Sequence, residues 1–183
     1  MQVISRVQLA TRTTASPEPL AGRVLRIAAS QLGVHEDADR PDRGAKIDAY
    51  RGSATSTDGA WRQPWCAAFV SWVSNQAGAP LVDSDGDLWS ANIGDWAKQA
   101  GRFSGPDATP HAGDLVLYRR DWGAARWANH IGIVETVGPD GALQTIEGNV
   151  GDAVKRMQRT RAQVVGFVAT AGLDARAGQL HLR

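Results

Sequence analysis

Apolar positions recur at helical spacing in the first half of the chain and at strand spacing in the second. Val24, Leu25, Ile27, Ala28 and Leu32 share one helical stripe, and Gly33 stands where such a helix should stop. A polar loop, HEDADRPDRG, and a short helical run over residues 45–50 precede the Gly-, Ser- and Thr-rich segment RGSATSTDGA. Gln63-Pro64-Trp65 then opens a strong helix over residues 66–77, closed by Gly78 with Pro80 beyond, a start and a stop in the preferred places. Residues 88–100 form another helical stretch. From His111 the pattern changes to short β-type runs at 114–118, 130–137, 142–147, 153–158 and 164–168. Consecutive strands predict an antiparallel sheet or partial barrel with helices packed on one side, so the fold class is α+β.

Composition narrows the picture. With 183 residues, 43% hydrophobic and 21% charged, the chain has the size and make-up of one globular domain. Residues 21–170 are expected to form it. The Thr-, Ser- and Pro-rich lead-in predicts a flexible segment over 1–20, and GLDARAGQLHLR a tail over 171–183. A net charge of +1 steers the protein toward neither nucleic acid nor an acidic membrane surface, so ligands must be recognised locally. No stretch approaches the roughly 18 apolar residues that span a bilayer, and the N-terminus lacks a secretory signal's apolar core. The expectation is synthesis in the cytoplasm without membrane insertion or general-pathway export.

One cysteine, Cys66, excludes a disulfide framework and a multi-cysteine zinc site. It falls in the first turn of the helix that Pro64 starts, where unpaired N–H groups and the positive dipole end favour a thiolate. A buried structural cysteine is the alternative, but such a residue has no reason to sit at a helix start.

A thiol nucleophile needs a base, and four histidines are available. His181 lies in the tail, His111 in a turn, and His35 at a helix end. His130 heads the strand Ile131-Gly132-Ile133-Val134. The turn Gly138-Pro139-Asp140-Gly141 should fold two strands about its centre, pairing residues whose numbers sum to about 279. On that register His130 faces Asn149, and Glu147 and Asn149 share its face. A slip of one residue would put them on the other face.

These residues resemble a known family. Pro64-Trp65-Cys66-Ala67-Ala68-Phe69-Val70-Ser71-Trp72, Gly113-Asp114-Leu115-Val116, His130-Ile131-Gly132-Ile133-Val134 and Glu147-Gly148-Asn149 look like the CHAP domains (cysteine, histidine-dependent amidohydrolases/peptidases), which belong with the NlpC/P60 cell-wall peptidases in a papain-like superfamily. The upstream Ala29-Ser30-Gln31-Leu32-Gly33 with Glu36, and residues 47–50, are similar to the lead-in of such domains. The likeness extends over roughly residues 21–170.

The resemblance implies a papain-like fold, with N-terminal helices on a C-terminal antiparallel sheet, and hydrolysis of an amide bond in bacterial peptidoglycan without metal or other cofactor. Cys66 would be the nucleophile, His130 the general base and then acid, and Glu147 the orienting residue, with Asn149 assisting. Trp65 stands where many relatives carry a polar residue, with Gln63 three residues before Cys66, which leaves the oxyanion donor open. Trp65, Gln63, Trp127 and Asn129 are substrate-binding candidates; for the tryptophans, Trp122 included, ordinary packing is the alternative.

Asp83-Ser84-Asp85-Gly86-Asp87 lacks the spacing and distal Glu of a calcium loop and reads as a turn. Lys155 and Arg156 with Arg159 and Arg161 read as an outward-facing basic run. The leading functional reading is a peptidoglycan amidase or endopeptidase delivered as an antibacterial effector, which would need an immunity protein, or as a phage-type lysin. A thiol amidohydrolase or acyltransferase acting inside the cell and a catalytically silent wall-peptide binding module are the alternatives.

Overall fold

The computed structural model describes residues 17–52, 64–81, 89–120 and 126–174. Among them the helices come first, α1 (Leu20–Ala29), α2 (Ala45–Gly52), α3 (Cys66–Gln76) and α4 (Ser90–Gln99). The strands follow: β1 (Phe103–Ser104), β2 (Leu115–Tyr118), β3 (His130–Val137), β4 (Leu143–Glu147), β5 (Lys155–Arg159) and β6 (Val164–Val168). They form one antiparallel sheet in the order β1-β6-β2-β3-β4-β5. The class is the expected α+β. The two-residue β1 is too short to carry a periodic signal and comes only from pairing with β6.

Strand alternation, with an irregularity in β6 between Val164 and Gly166, divides the apolar residues between two clusters. Leu115, Leu117, Ile131, Ile133, Ile146 and Val168 join the main core with the helices, while Val116, Tyr118, Val134, Leu143, Val164 and Phe167 form a smaller cluster. Helix α3 packs against β3, α1, α2 and α4. Its residues 66–71, 73 and 74 are all buried, which explains why its sequence is apolar on every side rather than striped.

The packed domain reaches beyond its expected edges. Leu20, assigned to the flexible lead-in, is buried as the first residue of α1, and Leu173, assigned to the tail, is 2% exposed in the main core. Asp174 closes the end through an ion pair with Arg23 at 2.9 Å. The β3–β4 register is the expected one at Ile133↔Ile146 and Val134↔Thr145; an irregularity at Glu135 shifts it by one residue on the turn side. Strand β5 runs two residues later than expected at its start, because Ala153 bridges to His35 and Val154 exchanges backbone hydrogen bonds with Val34 and Gly33 instead.

Three motif glycines are steric requirements. A Cβ on Gly113, whose φ is +87°, would stand 2.9 Å from the Ala21 Cα; on Gly132, 2.6 Å from Glu147 Cγ; and on Gly148, 2.7 Å from Phe69 Cβ. Elements and side chains therefore approach there as closely as backbone allows. Gly148→Ala, which drives a methyl into the start of α3, is expected to cost about 1–3 kcal/mol of unfolding free energy. Gly105→Ala, which meets nothing within 4 Å, is expected to change it by under about 0.5 kcal/mol in the same denaturant titration. Equal effects would remove the steric account.

Candidate active site

The position of Cys66 is set by its neighbour. Trp65 precedes the helix with its backbone outside helical values (φ −101°, ψ 14°) and accepts the first intrahelical bond, from Phe69 N–H at 2.9 Å. Its ring is 0% exposed. It packs beside Tyr50, with ring centroids 6.0 Å apart, and its indole N–H donates to Glu36 Oε1 at 2.7 Å. Where the expectation was that Trp65 walls an open substrate groove, the ring is fully buried and anchors the start of α3. The thiol then sits on the first helical turn, whose N–H groups lack intrahelical partners.

Opposite the thiol, His130 begins β3 and pairs in the ladder with Tyr118 of β2. The two rings stack with centroids 5.7 Å apart. The Nε2 atom of His130 lies 2.8 Å from Glu147 Oε2, and both side chains are at most 1% exposed. His130 also acts on Cys66, through hydrogen bonding and charge. The structure thus brings together Cys66, His130 and Glu147, which lie on three separate elements.

Glu147 is held on every side. Arg159 of β5 meets it with two prongs, Nε to Oε1 at 2.9 Å and Nη2 to Oε2 at 2.5 Å; Thr145 Oγ1 donates to Oε1 at 2.6 Å and the Tyr118 hydroxyl at 3.2 Å. Burial works against the carboxylate's charge, but the hydrogen bonds from Arg159, His130 and Thr145 outweigh it and hold Glu147 well below the usual carboxylate range. Burial and the charge of Glu147 push the Tyr118 hydroxyl up, so it remains a donor.

The Cys66–His130 pair is coupled. Burial disfavours the thiolate; the hydrogen bond and charge of His130, with the Ser90 hydroxyl and the Ala67 N–H, favour it, and the outcome lies below the ordinary thiol value. For His130 burial opposes the charged ring, while Cys66 and then Glu147 favour it, and the imidazole is pushed up to about 9. Each partner therefore favours the charged form of the other.

Several partners were not legible beforehand. Ser90, the first residue of α4, places its buried hydroxyl 3.7 Å from Cys66 Sγ. Tyr118, Thr145 and Arg159 were also missed. For Arg159 the reading of an outward basic run is corrected: its side chain is 17% exposed and turns back to Glu147. Arg161 is not on the strand at all but in a 3₁₀ turn, donating to the carbonyls of Gly141, Pro106 and Ala108. The missed signal is the second hairpin, β4–β5, which pairs Leu143 with Arg159 and so places the arginine on the Glu147 face.

Other expected site residues have different surroundings. Asn129 uses both ends of its amide on the Arg120 backbone, accepting from its N–H at 2.8 Å and donating to its carbonyl at 2.7 Å, so it fixes the β2–β3 connection. Trp127 lies over Gly94 of α4, donates to Asp95 Oδ1 at 3.0 Å and carries the Lys98 ammonium 3.4 Å from its ring centroid. Asn149 follows the end of β4 in a left-handed conformation, φ +59°, so strand parity does not extend to it; among the described residues no hydrogen bond joins it to His130. Gln63, Trp122, His181 and residues 83–87 lie outside the described residues. His35 and His111 are exposed. Among the described residues no group of three or more His, Cys, Asp or Glu could hold a metal ion.

A family model described as CHAP domain matches residues 58–149, about half of the chain and the stretch that carries Cys66, His130 and Glu147. The chain belongs to the CHAP family. No curated protein matches it. Similar solved structures include Ly7917, at 21% identity and TM-score 0.49, covering 82% of this chain and 62% of that one. A protein similar to an NLP/P60-family lipoprotein from Staphylococcus aureus aligns at 14% identity and TM-score 0.46, covering 86% and 45%. N-acetylmuramoyl-L-alanine amidase from the same organism aligns at 19% identity and TM-score 0.45, covering 63% and 33%. The chain spans less than two thirds of the length of each of these structures.

In this CHAP domain, His130→Gln leaves the burial of Cys66 unopposed by an imidazolium, so the thiol pKa rises. Carboxamidomethylation of Cys66 near neutral pH is expected to slow at least about tenfold, the equivalent of one pK unit, with its pH profile displaced upward. An unmoved profile would show that His130 does not ionise the thiol.

Proposed function

We propose that the protein is a cysteine amidase or endopeptidase of bacterial peptidoglycan. The observation that carries this reading is the convergence of Cys66, His130 and Glu147 in a chain of the CHAP family, at a site where the thiol and the imidazole each favour the other's charged form. Cys66 attacks the amide carbonyl as the thiolate. N–H groups in the first turn of α3, which lack intrahelical partners, stabilise the oxyanion, and the Ser90 hydroxyl, close to the sulfur, is placed to assist. Imidazolium His130 delivers its proton to the departing amine, and then acts as base for the water that hydrolyses the thioester. Glu147 orients the ring through Nε2. Every proton is handled by a group on the chain, so these steps call on no metal or cofactor.

Peptidoglycan is reached only outside the cytoplasmic membrane, and no described helix is long and apolar enough to cross one. Within the proposal the protein is delivered to its polymer, as an antibacterial effector or a phage-type lysin. In the effector case the producing cell needs an immunity protein that covers the approach to Cys66. The acid limb of its rate profile reports formation of the ion pair, and the alkaline limb, near pH 9, the loss of the His130 proton.

Purified peptidoglycan treated with the wild type is expected to release soluble fragments, and Cys66→Ala to reduce that release at least about a thousandfold. Mass analysis of the new termini separates cleavage at the N-acetylmuramoyl–L-alanine bond from cleavage inside the stem or cross-bridge. Equal release by Cys66→Ala would overturn the thiol mechanism, and binding without release by the wild type would identify a wall-peptide binding module.

A further inference from the structure

The orienting carboxylate at this site has a second owner. Glu147 is 0% exposed, and the oxygen that meets His130 Nε2 at 2.8 Å, Oε2, also accepts from Arg159 Nη2 at 2.5 Å. Arg159 Nε takes the other oxygen at 2.9 Å, so the guanidinium and carboxylate form a two-pronged, charge-cancelling pair. Arg159 is held in turn over the Tyr118 ring, 5.6 Å from its centroid. It opens toward solvent at a pocket of about 350 Å³ between Tyr118 and Gln163, which keeps the cation partly hydrated. A guanidinium cannot be deprotonated here and so compensates the carboxylate at every working pH.

The distinction matters for the proton on His130. A buried carboxylate acting alone would bind the imidazolium as a counter-ion and hold back the proton that the leaving amine needs. A neutral acceptor would orient the ring without that penalty. We propose that Arg159 is a positioning residue that neutralises Glu147, so that the carboxylate steers the His130 ring as a hydrogen-bond acceptor while the Cys66 thiolate remains its charge partner. This inference rests on the Cys66–His130–Glu147 reading above.

The two-pronged hydrogen bonding of Arg159 sets it apart among the groups that face the pair. From β2, Tyr118 presents a neutral hydroxyl, and Arg120, just beyond the strand, is a second cation in charge interaction with Glu147. From β4, Thr145 presents a hydroxyl. Lys155 is opposite Glu147 in the ladder, but its ammonium lies beside Gly151. From α3 comes Cys66 itself.

Two measurements test this, the pH profile of fragment release from peptidoglycan and the pH profile of Cys66 alkylation, the second independent of any substrate. In Arg159→Gln the uncompensated carboxylate is expected to raise the alkaline limb by roughly one pH unit or more, with turnover reduced at least about tenfold. Arg159→Lys, which keeps the charge, should hold the limb close to the wild-type position. Glu147→Gln strands the Arg159 cation beside the ring, and the double variant Glu147→Gln/Arg159→Gln is expected to turn over at least about tenfold faster than Glu147→Gln alone, since each pK unit restored to His130 is worth a factor of ten. An unmoved limb in a folded Arg159→Gln, or a double variant no faster than Glu147→Gln, would overturn the inference. If Arg159→Gln does not fold, the double variant and Arg159→Lys decide. Activity surviving in Cys66→Ala would instead bring down the underlying mechanism, while the alkylation profiles would still report on Arg159.

Discussion

A carboxylate with no exposure to water must find its solvation in the protein, and Glu147 obtains it from four side chains on four strands. Much of the sheet's arrangement serves that need. Tyr118 comes from β2, His130 from β3, Thr145 from β4 beside Glu147, and Arg159 from β5. Gly132 is bare so that the Glu147 chain can lie across it. The edge strand β5, which looks in isolation like a polar, exposed ribbon, supplies the cation that allows a buried acid to stay ionised.

The thiol is placed by a different device. A helix start carries no side-chain cap here, and the register of α3 depends instead on Trp65, locked between Tyr50 and the Glu36 carboxylate. Glu36 also accepts the Asp42 N–H at 2.6 Å, which ties the loop between α1 and α2 to the same anchor. Gly148, against Phe69 and Trp65, brings the end of β4 onto this helix start. The chain of contacts from loop to helix to strand end is continuous and buried. It gives the sulfur and the imidazole fixed positions without any covalent link.

The recurring motifs mix chemistry with clearance. In His130-Ile131-Gly132 and Glu147-Gly148-Asn149 the polar residue acts and the glycine makes room. In Gly113-Asp114 the glycine admits α1, and the buried aspartate binds the N–H groups of His111 at 2.8 Å and Thr170 at 3.0 Å. That aspartate, quoted among the family motifs, ties a turn to the end of β6.

Local pattern alone determined the four helices, the main strands and the nomination of Cys66, His130 and Glu147. A helix start is written by Pro64 and an apolar run, and a hairpin by Gly138-Pro139-Asp140-Gly141, both short-range signals. What only the tertiary structure decided are the partners reached across elements. Arg159 turns inward because a diagonal side chain in the next hairpin finds a buried charge, and Ser90 reaches the thiol because α4 starts beside α3. Trp65 and Asn129 act as anchors because the core and a backbone turn hold them. Periodicity records which face of an element is buried, but it holds no record of which buried charge a long side chain will meet, and that pairing is settled only when the strands are laid side by side.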